Sequence, residues 1–66
     1  MAIKVESILK LLDGSKPVEI YTKDNSFPPE VKPVKKWLAD KSVINRDCDK
    51  IKDRKTDTTV HIRLET

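Results

Sequence analysis

The sequence predicts an α+β fold: one small domain of 66 residues, in the order α-β-α-β-β, with two short helices packed on one face of a three-stranded, mainly antiparallel sheet. Three observations predict it. Apolar residues from Val5 to Leu12 recur with a helical period. Segments around Val18 and Val60 alternate with the period of a strand. Turn-forming residues separate these stretches at short intervals, with neither an internal repeat nor a Gly/Ser linker, so residues 1–66 read as a single unit.

The first helix is predicted over residues 5–12. Val5, Ile8, Leu9 and Leu12 fall at i, i+3, i+4 and i+7 and share one face, while Lys4, Glu6, Ser7 and Lys10 fall mostly on the other. Ile3 and Leu11 widen the apolar stripe. Gly14 suits the left-handed position beyond a helix C-terminus, and Pro17 prevents the helix from resuming.

Residues 18–22 are rich in β-formers and predict a strand with Val18 and Ile20 facing the core. Residues 23–26 form a turn, and Phe27-Pro28-Pro29 is stiff, either extended or in a first helical turn. A second helix is expected over residues 32–40, with Pro33 in its first turn. Val34, Trp37 and Leu38 share its buried face, and Lys32, Lys35 and Lys36 its wet one.

Residues 42–52 and 58–65 read as a hairpin around the polar loop 53–57. Val60, Ile62 and Leu64 point one way, and His61, Arg63 and Glu65 the other. Setting Cys48 opposite Ile62 pairs Asp47 with Arg63 and Asp49 with His61 on the outer ladder. A slip by one residue would bury both carboxylates, at a cost of about 2–7 kcal/mol for each polar group left unpaired. In this register Ile51 reaches the core side only through an extra residue, which predicts a β-bulge near Asp49 and Lys50.

Composition narrows the classes of function. A chain this short buries only about 60% of the surface it exposes when unfolded, which leaves little room for a deep substrate pocket. One cysteine, Cys48, rules out an intrachain disulfide, and there is no Cys/His cluster for structural zinc. Charge interrupts the apolar residues after Met1 at once, unlike a signal peptide, and no run approaches the ~18 apolar residues of a membrane span. A cytoplasmic protein that does not contact a membrane is expected, in keeping with a free thiol. With 14 Lys and Arg against 11 Asp and Glu, the net charge of +3 permits nucleic-acid binding without requiring it.

No catalytic set is expected. With Cys48 facing the core and His61 facing solvent, the thiol and the imidazole lie on opposite faces and cannot act as a couple. Asp47 and Asp49 have the spacing of paired carboxylates, but Arg63 beside them would repel a cation, so no metal site is expected, and no cofactor. Asp13-Gly14-Ser15-Lys16 lacks the flanking glycines of a phosphate-binding loop and precedes a strand.

Two binding readings remain. The favoured one is a non-enzymatic protein-binding module, a regulator or inhibitor of a larger machine, with another protein or a second copy of the chain docking on a sheet edge or on the outer sheet face. Its candidate residues are Asp47, Asp49, His61 and Arg63, with Phe27 as an anchor or, alternatively, as the base of the core. The alternative is a nucleic-acid-binding domain. It would use Lys32, Lys35 and Lys36 on the second helix and Lys50, Lys52, Arg54 and Lys55 around the hairpin loop. Acidic residues interleave with these cations, and no stacking platform of aromatics is evident.

Overall fold

The computed structural model describes residues 3–54 and 56–65. Its elements are β1 (Ile3–Lys4), α1 (Val5–Leu9), β2 (Pro17–Thr22), β3 (Glu30–Pro33), α2 (Val34–Leu38), α3 (Lys41–Ile44), β4 (Asp47–Lys52) and β5 (Val60–Leu64). The α+β class holds, but the three-stranded sheet does not. Five strands lie in the order β1-β4-β5-β2-β3. The sheet is mixed, because β2 and β5 run parallel while the other three pairings are antiparallel.

Alternation explains why β2 and β5 sit near the centre. Val18, Ile20 and Thr22 on β2, and Val60, Ile62 and Leu64 on β5, are all buried. Pairing Val18 with Val60 and Ile20 with Ile62 puts both apolar rows on one face, under the helices. Val5 and Leu9 of α1, Val34 and Trp37 of α2, Val43 and Ile44 of α3, and Cys48 complete the core. Burying a side chain of this kind contributes about 1.5–3 kcal/mol, so this layer contact dominates the fold's stability.

Both predicted helices are shorter than expected. The first ends at Leu9, with Lys10 as its C-cap, so Leu12 is only half-buried and Leu11 is 84% exposed. Among the described residues no glycine has a positive φ; that conformation belongs to Asn25, at 62°. Gly14 instead receives α2, its carbonyl accepting the Lys35 N–H at 3.0 Å. The second helix spans Val34–Leu38, and Lys32 and Pro33 belong to β3. Pro33 disfavours a helical conformation at Lys32 and has an extended ψ of 152° itself, so it ends a strand and caps a helix.

The stretch after it corrects the predicted strand over 42–52. The Asp40 carboxylate accepts the Ser42 N–H at 3.2 Å and the Ser42 hydroxyl at 2.6 Å, which caps a third helix. Only Asp47–Lys52 remains extended, and its partner spans Val60–Leu64 instead of 58–65. The bulge lies where it was expected, between Cys48 and Lys50, and it sets Ile51 opposite Ile62. The register does not match. Cys48 faces Leu64, and the pairs Asp47 with Arg63 and Asp49 with His61 are absent from the ladder. This is a two-residue slip, which leaves every side chain on its own face, so the apolar pattern cannot tell the two registers apart.

Trp37 lies at the centre of the helix layer. It is fully buried, and its indole Nε1 donates to the Val18 carbonyl at 2.8 Å. Phe27 packs against the core with its ring 6.3 Å from the indole, and Lys32 Nζ lies 4.7 Å from the indole centroid. Among the described residues no helix is long and apolar enough to cross a membrane.

Candidate functional site on the outer face of the sheet

Residues that alternate with the buried rows form the opposite face of the sheet. Cross-strand partners share a face, so the register arranges them in two rows. One row runs Lys52, His61, Glu19, Val31, and the other Lys50, Arg63, Tyr21. A bulge and a turn add one acid to each row. Asp49, the extra residue of the bulge, accepts the Arg63 Nε–H at 2.8 Å. Asp57 reaches His61 from the loop before β5.

His61 is held from both sides. Its Nδ1 lies 2.9 Å from Glu19 Oε1 and its Nε2 2.8 Å from Asp57 Oδ2. Ionised carboxylates only accept hydrogen bonds, so both contacts are bonds only when the ring carries both protons. The Asp57 bond, followed by the Glu19 bond, raises the His61 pKa above its ordinary 6.5 against the opposing effect of burial. Asp57 is itself placed by the backbone, since its Oδ1 accepts the Thr59 N–H at 2.9 Å. That bond first, and the one to His61 second, hold its carboxyl below the usual carboxylate range. The Arg63 bond likewise lowers Asp49, and Asp49 raises Arg63.

The His61 row floors a cleft of about 280 Å3, lined by Glu19, Tyr21, Lys52, Arg54, Asp57 and His61. Both ring nitrogens of His61 are taken up by carboxylates, and among the described residues no group of three or more His, Cys, Asp or Glu is placed to hold a metal ion. Cys48 is buried beneath the other face, where its Sγ donates to the Ile3 carbonyl at 3.2 Å and burial pushes its pKa up. Thiol and imidazole therefore lie on opposite sides of the sheet.

Of the candidate protein-binding residues, the structure brings together His61, Arg63 and Asp49. Asp47 is exposed at the far end of β4, where it faces Lys4, and Phe27 packs against the core. Among the described residues, the candidate nucleic-acid residues do not form one stripe. Lys35 and Lys36 are exposed on α2 in the helix layer, and Lys32 sits between the indole and Glu30, 3.3 Å from its carboxylate. Lys50 and Lys52 lie on the outer sheet face with Arg54 beside them, and Lys55 is outside the described residues. Sequence reasoning missed Glu19, Tyr21 and Asp57. Alternation along β2 marks the first two as outward-facing, but only the parallel pairing with β5 sets them beside His61 and Arg63.

No protein-family model, no curated protein and no solved structure matches this chain. A functional reading therefore rests on the site itself.

Proposed function

We propose that this chain is a non-enzymatic protein-binding module, a small regulator or inhibitor, which meets its partner with the outer face of its sheet. The observation that carries this reading is the pair of cross-strand rows, in which Glu19–His61 and Asp49–Arg63 are already joined on adjacent strands and Asp57 closes on His61 from the loop. Charges fixed on strands lose little freedom on binding, and alternating signs select a complementary partner. A polyanion would meet Glu19, Asp49 and Asp57 among the cations, which disfavours a nucleic-acid backbone on this face.

Affinity capture with the wild-type chain and with Arg63→Glu tests it. One stoichiometric protein partner, lost with the variant while the circular dichroism spectrum is unchanged, is the expected result. Co-purification of nucleic acid, released steeply by salt, would overturn it in favour of a nucleic-acid-binding domain. That second reading has one observation of its own: Lys50, Lys52 and Arg54 all fall on β4 and the segment just after it.

A further inference from the structure

We propose that the cleft beside His61 is a receptor for one acidic side chain, an Asp or Glu presented by a peptide segment of the partner. This rests on the protein-binding reading above and names the chemistry it selects.

Charge inside the cleft is unevenly committed. Glu19 and Asp57 already accept from the two nitrogens of His61. Lys52 and Arg54 line the same cleft, are exposed, and among the described residues form no ion pair. With His61 protonated, three positive groups face two negative ones across the lining, leaving a single positive charge. A carboxylate supplies one negative charge and neutralises the cleft, whereas a phosphate at neutral pH carries about −1.5 to −2 and would overshoot. Arg54 offers a planar fork of donors that fits a carboxylate edge to edge, and Lys52 a mobile point charge in the same lining. The volume of about 280 Å3 is ample for one such side chain.

His61 couples this site to pH. The groups facing it are Glu19 and Tyr21 on β2, Lys52 on β4, Arg63 two residues along β5, and Arg54 and Asp57 in the loop. When His61 loses a proton, the lining becomes neutral, and one of the two carboxylates loses its donor and turns to Lys52 or Arg54 in place of the ligand. Binding is therefore strongest below the folded pKa of His61 and declines as pH rises through it.

The test is an NMR titration of the isotope-labelled chain with acetyl-Gly-Glu-Gly-amide, its Gln counterpart and inorganic phosphate in separate arms. Expected are saturable shifts at Lys52, Arg54 and His61 with the Glu peptide alone, weakened about tenfold by Lys52→Gln or by Arg54→Gln. His61→Gln should remove the pH dependence of the titration. Saturation by phosphate at lower concentration than by the peptide, shifts clustered elsewhere, or no shift with any probe would each overturn the assignment. If the peptide fails while Arg63→Glu still abolishes partner capture, the pocket is wrong and the protein-binding reading stands. If both fail, that reading goes with it.

Discussion

Trp37 and Val18 are joined by an indole-to-carbonyl hydrogen bond of 2.8 Å that ties α2 to β2 inside the core. Val18 is fully buried, so without this donor its carbonyl loses a partner that water cannot replace. Trp37→Phe keeps much of the apolar volume but removes the N–H. The expected cost is about 0.5–1.5 kcal/mol, the net range for one hydrogen bond, because the Val18 carbonyl also lies in the β2–β3 ladder opposite Lys32. Urea unfolding followed by circular dichroism measures it, and a loss below about 0.5 kcal/mol would show that the bond contributes little.

Gly14 yields a prediction of the opposite sign. Its φ is not positive, and a Cβ built there meets only the Lys35 Cβ, at 4.0 Å. The backbone therefore does not require glycine, and the carbonyl that accepts from Lys35 is unaffected by a methyl group. Gly14→Ala should raise stability by about 0.4–1 kcal/mol, because it restricts the unfolded chain. A fall in the thermal midpoint would mean that the turn demands a conformation alanine cannot adopt.

The His61 clamp predicts how stability varies with pH. A group whose folded pKa exceeds its unfolded value stabilises the fold fully below the unfolded value, and that contribution is lost as pH rises through the folded one. For His61 the loss begins above 6.5, because Asp57 and Glu19 raise its pKa. Asp57 behaves oppositely, its contribution being lost as pH falls below 3.8. The thermal midpoint should therefore decline as pH rises above 6.5, and His61→Gln should flatten that decline while leaving the part of the acid limb that rests on the Asp57–Thr59 bond. An alkaline limb unchanged by the substitution would sink the clamp as a stabilising feature.

How much of this was legible in the sequence follows from the range of each interaction. The buried faces of β2, β5 and α1 were readable, because Val18, Ile20, Val60, Ile62, Val5 and Leu9 announce themselves by local period. The bulge was readable because Ile51 could not otherwise share a side with Ile62. The two-residue slip of β4 was not, since it conserves face and changes only which outward residues meet, setting Asp49 on Arg63 and Lys52 opposite His61. Neither was the parallel pairing of β2 with β5, which joins Val18 to Val60 across the rest of the chain and leaves no local trace. The cleft depends on that pairing, so Glu19 and Tyr21 escaped the sequence reading while His61, on the strand with the clearest alternation, did not.

Cys48 lets the opening of the sheet's short outer strand be measured. Its thiol donates to the Ile3 carbonyl, so β1, only two residues long, borders it at the edge of the sheet. Burial raises its pKa, and Asp49, Asp47 and Glu65 add repulsion toward a thiolate. Both effects suppress the reactive form, so alkylation by iodoacetamide near neutral pH should be slow in the native protein. A strand this short has few bonds to break, and its opening should cost less than global unfolding. Labelling should therefore accelerate at urea concentrations below the midpoint seen by circular dichroism, before the core around Trp37 is lost. Labelling that tracks global unfolding would make β1 part of the cooperative core, and rapid labelling without denaturant would contradict the burial of the thiol.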